Sequence, residues 1–147
     1  MEIFKITNFE RDHGPGTFLR FRHLSTEESL AVAQRLWALL KLQGEVDAQR
    51  LVIAIWKAAK PVQDIDDAEE KFCLDDLLRR LGFSATGSVF LDWHRFDDVD
   101  EVLTEDFCRQ FSDIWYPSSD DLDIVDSELR WILTVSHYGL ISAIRLQ

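Results

Sequence analysis

The chain is poor in the residues that define small cross-linked, fibrous or membrane proteins. Its 147 residues include two cysteines, three prolines, six glycines and one methionine. Cys73 and Cys108 lie in separate segments without a CxxC spacing, which argues against a disulfide scaffold or a structural zinc site. The longest unbroken apolar run, Leu51 to Trp56, has six residues and is far too short to span a membrane. The first residues also lack the basic and then apolar layout of a secretory signal, so we expect a cytoplasmic protein.

Apolar and aromatic residues, in contrast, are plentiful. Apolar residues form 46% of the chain and aromatic residues 12%, with five tryptophans and ten phenylalanines. This content is enough to bury a core, so it excludes the disordered and low-complexity classes. The length is that of one ordinary domain. We therefore predict a single domain over residues 1–147.

Negative charge is concentrated in the middle of the chain. The formal net charge is −11, and residues 62–128 alone carry twenty acids and five bases, for a net charge of −15. The flanking segments, 1–61 and 129–147, are each +2. No cluster of lysine and arginine is present to neutralise phosphates, so we expect no direct binding to nucleic acid or membrane. An acidic surface attracts basic partners, although acidity can also serve solubility alone.

The chain begins with a pattern that predicts β-rich structure. It contains a turn at 13–16 and an alternating strand at 17–23. A helix follows, because Ser25 and Glu28 have the spacing of a capping box. Gly44 is the expected stop of this helix.

Two further helices are predicted before the middle of the chain. One runs over 47–59, although its apolar centre, 51–56, could equally be a buried strand. Another opens at Asp66 or Asp67 and ends at Gly82.

The second half of the chain contains most of the predicted strands. A strand is predicted at 88–94, and one or two short amphipathic helices at 97–112. The acids alternating along 122–126 are typical of an edge strand. Segments 131–135 and 140–146 alternate around a short turn and predict a C-terminal β-hairpin. The sum is an α+β domain, with several helices packed on a mixed or antiparallel sheet.

Standard catalytic and nucleotide-binding motifs are absent from the sequence. It contains no GxGxxG, GxxxxGK[ST], HExxH or GxSxG. The acids at 120–126 do not match a calcium loop, because Val125 and Asp126 stand where an oxygen ligand and a glycine are needed. Asp92 and His94 share a strand face, but no nucleophile is paired with them at a recognisable spacing. We therefore predict no enzymatic activity, cofactor or metal; a small His/Asp-dependent enzyme is the weaker alternative.

The C-terminal third of the sequence resembles a known class of proteins. The resemblance is carried by the run from Trp115 to Asp126, by Trp131-Ile132-Leu133 and by His137-Tyr138-Gly139. These residues resemble small bacterial immunity proteins, the cytosolic partners that neutralise toxin domains of contact-dependent inhibition and other polymorphic toxin systems. The resemblance implies a non-enzymatic protein that binds one cognate toxin, often a nuclease, and blocks its active surface. The acidic charge fits this implication, because a nuclease needs a basic surface for its substrate.

Two acidic segments with nearby aromatic residues are the candidate partner-binding sites, since a charged rim around an apolar anchor is typical of interfaces. The first comprises Asp97, Asp98, Asp100 and Glu101, and the second comprises Trp115, Tyr116, Asp120, Asp121 and Asp123. The alternative for the acids is that they are solvated helix starts and edge-strand guards, and for the aromatic pair that it packs beneath the neighbouring turn. At the level of function, the alternative is an acidic adaptor or nucleic-acid mimic that binds another basic protein.

Overall fold

The computed structural model describes residues 1–65 and 72–147, and it contains helices on both sides of one sheet. The described helices are α1 (Ile3–His13), α2 (Thr26–Leu39), α3 (Ala48–Ala58), α4 (Leu74–Leu81) and α5 (Thr104–Ile114). The strands are β1 (Phe21–His23), β2 (Lys60–Asp64), β3 (Ser88–Asp92), β4 (Val99–Leu103), β5 (Leu122–Asp126), β6 (Trp131–Val135) and β7 (Leu140–Arg145). Their order in the sheet is β1-β4-β3-β5-β6-β7-β2, and every neighbouring pair is antiparallel. The predicted α+β class is confirmed. None of the described helices is long and apolar enough to cross a membrane.

Helices cover both faces of the sheet. One apolar cluster joins the first face to α4 and α5 and includes Leu78, Leu91, Phe107, Ile124 and Leu133. A second joins the opposite face to α2 and α3 and includes Leu36, Ile55, Phe90, Val125 and Ile132. Because successive side chains of a strand point to opposite faces, each central strand contributes to both clusters. This explains why every residue of β5 and β6 is buried.

Side-chain caps define the starts of α2 and α3. The hydroxyl of Ser25 accepts the amide N–H of Glu28, whose carboxylate accepts the amide N–H of Ser25, so the predicted capping box is confirmed. The carboxylate of Asp47 accepts the amide N–H of Arg50 at 2.7 Å. The helix predicted at 47–59 is therefore present, and the alternative of a buried strand there is wrong.

Left-handed residues end α2 and α4. α2 stops before the predicted Gly44, because Lys41 takes the left-handed conformation with a φ of 56°. The amide N–H of Leu42 then bonds to the carbonyl of Trp37 at 3.0 Å, which closes the helix end. Gly82 ends α4 as predicted, with a φ of 67° that glycine adopts without strain.

Several expectations about the type of element are wrong. The first residues form α1 rather than β structure, and the strand predicted at 17–23 is reduced to β1. Of the one or two amphipathic helices predicted at 97–112, one is present as α5, but the first part of the segment forms a strand, β4. β2 has no counterpart in the prediction. β1 pairs with β4, and β2 pairs with β7, and these partners are distant in sequence, so a local pattern does not record them. β4 also pairs with β3, the preceding strand. The start predicted at Asp66 or Asp67 lies outside the described residues.

β6 and β7 form the predicted C-terminal hairpin, with Trp131 opposite Arg145. Its turn requires glycine, because Gly139 has a φ of 89° and an added Cβ would lie 2.7 Å from the carbonyl oxygen of Ile65. β5 lies between β3 and β6 in the centre of the sheet. The interpretation of its acids as edge-strand guards is therefore wrong.

The two cysteines differ in accessibility, which gives a test of the packing of α5. Cys73 is exposed, whereas Cys108 is partly buried, and burial raises the pKa of its thiol to about 12. Because the thiolate is the reactive form, at pH 8 we expect Cys73 to react with Ellman's reagent at least about 100-fold faster than Cys108. The variants Cys73→Ser and Cys108→Ser each leave one thiol, so they show which rate belongs to which cysteine. Equal rates in the native protein would contradict the packing, and unfolding in urea should remove the difference.

Candidate functional site

Both acidic segments identified in the sequence lie at the same end of the sheet. Asp92 at the end of β3 is opposite Asp123 near the start of β5, because these strands are antiparallel neighbours. β4 starts at the same end, where Val99 is opposite Asp92. The connections 93–98 and 116–121 are therefore adjacent, although they are distant in sequence. We call these two connections and the adjoining strand ends the acidic end.

A cleft of about 230 Å³ lies between the two connections. It is lined by Glu2, Trp93, His94, Arg95, Asp98, Ser119, Asp120 and Asp121. Four of these side chains carry carboxylates, against a single arginine. We call this space the acidic cleft. Its lining is suited to a cation and repels an anion.

Lys5 of α1 ties two walls of the acidic cleft together. Its side chain is fully buried, its ammonium group contacts the carboxylate of Asp120, and it donates to the carbonyl of Ile114 at 2.8 Å. The same ammonium group lies 4.6 Å from the ring centre of Trp93 and 4.0 Å from that of Tyr116. A buried charge is stable only with partners of this kind. Lys5 therefore fixes α1 against the connection 116–121.

Three of the nine candidate partner-binding residues are buried, namely Asp100, Trp115 and Asp123. Asp100 contacts the amino group of Met1, and the indole of Trp115 donates to the carbonyl of Asp120 at 2.9 Å. The fold encloses these three side chains. The sequence predicts that they contact a partner directly, and their burial does not fit that prediction. Trp115 instead packs beneath the neighbouring turn, which is the alternative interpretation.

The other six candidates are exposed or half-buried: Asp97, Asp98, Glu101, Tyr116, Asp120 and Asp121. Glu101 lies along β4, outside the lining of the acidic cleft, and its carboxylate accepts a hydrogen bond from an arginine of β1 at 2.8 Å. Asp98 and Asp121 line the cleft and face histidines, with His23 at 3.4 Å and His137 at 2.8 Å. These two aspartates are thus the predicted residues best placed to meet a cation entering the cleft.

Two carboxyl groups lie buried beside the acidic cleft. Asp92 and Asp123 face each other across β3 and β5, and both are fully buried. Asp92 accepts the amide N–H of Phe96 at 2.6 Å, and Asp123 accepts the indole N–H of Trp56 at 3.0 Å. The second oxygen of each carboxyl has no hydrogen-bond partner in the described part of the chain.

Burial controls the protonation of this buried pair. It raises the pKa of Asp92 to about 6, because the nearby amide N–H groups only partly offset the loss of water. Burial, together with the charge of Asp92, raises the pKa of Asp123 well above its ordinary value. The pair therefore retains protons at a pH where exposed aspartates have lost them.

His94 and His137, two of the histidines near the acidic cleft, have different surroundings. His94 Nε2 lies 3.9 Å from Asp123, too far for a hydrogen bond, and burial lowers the pKa of His94. His137 Nδ1 lies 2.8 Å from the carboxylate of Asp121, which also accepts the amide N–H of His137 at 2.8 Å. A histidine held by a carboxylate has the chemistry of a general base. Here the contact also ties the β6–β7 turn to the connection 116–121.

One set of side chains has the donor atoms for a metal ion. One ligand atom each from His23, Asp98 and Asp100 lies within 4.8 Å of the others. Imidazole and carboxylate together suit several divalent transition metals. The amino group of Met1 already contacts the carboxylate of Asp100, so a metal ion would have to displace it. We assign no metal to this set.

Several residues of the acidic cleft escape sequence reasoning. Lys5 has one local signal, since it is an isolated lysine among apolar residues of α1. Glu2 and Arg95 have none, because the docking of α1 brings Glu2 to the cleft and the strand order brings Arg95 there. In comparisons with known proteins, no family model, no curated protein and no solved structure matches this chain.

Proposed function

We propose that this chain is a binding protein that inhibits a basic partner, in the manner of a bacterial immunity protein, and that the acidic cleft is its contact site. The observation that carries the proposal is the convergence of two acidic segments on one cleft, with Glu2, Asp98, Asp120 and Asp121 in its lining. The resemblance of the C-terminal third to immunity proteins supports the same function. A nuclease toxin would be both attracted and blocked there, because its substrate-binding surface must be basic.

The charge of the chain supports a basic partner as well. Residues 62–128, which contain both acidic segments, carry a net charge of −15. Exposed carboxylates at the rim of an interface mainly raise the association rate, whereas a desolvated pair slows dissociation. An acidic adaptor would use the same cleft, but its binding would not protect the cell from its partner.

Affinity capture from the source cell, followed by co-expression, tests this function. The tagged protein should retain a basic protein that a triple variant, Asp97→Asn with Asp98→Asn and Asp121→Asn, retains weakly. The captured protein should arrest growth when expressed alone and be harmless when co-expressed with this chain. A captured basic protein that is harmless on its own would contradict the immunity function and favour an adaptor.

Neutralising the two acidic segments separately should slow binding of the captured partner. We expect Asp97→Asn with Asp98→Asn, and separately Asp121→Asn, to lower the association rate about 3- to 10-fold at low salt. Salt screens exposed charges, so the difference from the wild type should shrink at about 0.5 M salt. Asparagine at position 121 keeps an acceptor for His137, so the turn should remain intact.

A double variant, Glu45→Gln with Glu128→Gln, is the matched control for total charge. Both side chains are exposed and outside the lining of the cleft, and Glu128 follows the far end of β5. Its association rate should stay close to that of the wild type. If the control slows binding as much as the variants of Asp97 with Asp98 and of Asp121 do, the effect is one of net charge and the interface lies elsewhere.

A further inference from the structure

The two most exposed large apolar side chains of the described residues directly follow residues that line or contact the acidic cleft. Ile3 is 80% exposed and Tyr138 is 85% exposed. Ile3 directly follows Glu2 of the cleft lining, and the next residue, Phe4, is 47% exposed with its ring 5.9 Å from that of Tyr116. An apolar surface thus begins at the edge of the carboxylate lining.

Tyr138 reaches the same region from the β6–β7 turn. Its ring lies 3.9 Å from that of His137, whose imidazole contacts Asp121 of the cleft lining. Tyr138 also lines a second hollow of about 290 Å³, together with Pro117 and Ser118. The acidic cleft and this hollow therefore share the connection 116–121.

The exposed side chains form the apolar part that an interface at the cleft requires. Interfaces combine aromatic or aliphatic anchors with charged residues. The aromatic anchor expected from the sequence, Trp115, is enclosed by the fold. Ile3 and Phe4, which follow Glu2 of the cleft lining, and Tyr138, which follows His137, supply exposed apolar side chains in its place.

The shape of the acidic cleft limits what enters it. Its volume of about 230 Å³ lies below the roughly 300–1,000 Å³ of a small-molecule site, but it is sufficient for one long side chain. Two aromatic rings beside it already hold the buried ammonium group of Lys5, so an entering cation is held by the carboxylates of the lining rather than by these rings.

Given the proposed function, we infer that the partner presents a single arginine or lysine flanked by apolar residues. The cation enters between the carboxylates of Asp98 and Asp121. The apolar neighbours contact Ile3 and Phe4 on one side and Tyr138 on the other. Charge complementarity selects the cation, and the exposed apolar side chains select its neighbours.

A set of three pentapeptides tests the two parts of this inference separately. The probe is acetyl-Leu-Ser-Arg-Ser-Leu-amide, and the two comparison peptides carry citrulline for arginine or alanine for both leucines. Binding is followed by NMR through the indole signal of Trp93 and the amide signal of Asp121. We expect saturable shifts with the probe, with affinity at least about tenfold lower for the citrulline peptide and about three- to tenfold lower for the alanine peptide.

Surface variants assign these differences to named side chains. Ile3→Ser with Phe4→Ser, and separately Tyr138→Ser, should weaken binding of the leucine probe but leave the alanine peptide unchanged. Asp121→Asn should weaken both arginine peptides. Leu103→Ser is the matched control, because Leu103 is 57% exposed at the far end of β4, and it should alter neither.

Some results would overturn the inference. They are the absence of saturable shifts with the probe, equal affinity for the citrulline peptide, and equal affinity for the leucine and alanine peptides. The proposed function fails separately, through the capture experiment. A captured partner that needs the cleft carboxylates but binds the Ile3, Phe4 and Tyr138 variants normally would overturn this inference and leave the proposed function standing.

Discussion

Replacing Trp131 with alanine should lower the free energy of unfolding by about 3–5 kcal/mol, because it removes a large buried side chain from one apolar cluster. Trp131 is 2% exposed and lies on β6, between β5 and β7. Its ring stacks on that of Phe83, with ring centres 5.0 Å apart and planes 4° from parallel. Equilibrium unfolding in urea measures the loss, with the slope of the transition checked for unchanged two-state behaviour.

Tyr138→Ala is the control within the same hairpin. It also removes an aromatic ring, but from a side chain that is 85% exposed, so we expect a change within about 0.5 kcal/mol. A loss below about 1 kcal/mol for Trp131→Ala would show that the hairpin does not pack against Phe83 as described. Similar losses for both variants would point to an effect on the hairpin itself rather than on the core.

The elements that the sequence predicts correctly are those specified by neighbouring residues. Ser25 and Asp47 begin helices because their own side chains accept the amide N–H groups that follow. The hairpin of β6 and β7 needs only a short turn and two alternating segments. Such features depend on few residues, so the pattern of a single sequence contains them.

The elements that the sequence misses are fixed by distant contacts. α1 has no side-chain cap at its start, and its Lys5 is held by residues 114–120, near the other end of the chain. The pattern of the Val99–Leu103 segment predicts a helix, but its pairing with the distant β1 and with β3 makes it a strand. Tertiary contacts override local preference in both cases.

The candidate site could be predicted only in part for the same reason. The acidic composition of both segments is visible in the sequence, but their convergence depends on β3 lying between β4 and β5. The same strand order places β5 in the centre, so Asp123 is enclosed rather than exposed. A local pattern identifies which residues are charged, whereas the topology decides which of them reach a partner.

The Asp92→Asn variant should gain stability relative to the wild type as the pH rises, by about 2 kcal/mol between pH 4 and pH 7. The pKa of Asp92 is raised to about 6 in the folded protein, and an unfolded aspartate titrates near 3.9. The folded state therefore binds more protons in this window, so the contribution of Asp92 to stability is greatest below about pH 4 and is lost as the pH rises through 6. Asparagine does not titrate, so the variant lacks this loss.

The expected effect is the pH dependence of the difference between variant and wild type. Asparagine keeps the acceptor for the amide N–H of Phe96, but its amide nitrogen replaces an oxygen that has no partner in the described structure, which costs about 1–3 kcal/mol at every pH. Urea unfolding from pH 4 to pH 7.5 separates the two effects. In a plot of the difference in free energy of unfolding against pH, the constant cost sets the level of the curve and the protonation of Asp92 sets its slope. Asp12→Asn, at an exposed site on α1, is the control for the same substitution outside the buried interior.

Asp123→Asn should change stability in the same direction, because burial raises the pKa of Asp123 as well. The two effects should not add. Asp92 and Asp123 are opposite each other, and part of the raised pKa of Asp123 comes from the charge of Asp92. Removing either charge therefore lowers the electrostatic repulsion on the other carboxylate, and the double variant should gain less than the sum of the single variants.

A difference between Asp92→Asn and the wild type that stays constant from pH 4 to pH 7.5 would mean that Asp92 is ionised in the folded protein, and so that the interior beside the acidic cleft admits water or a cation.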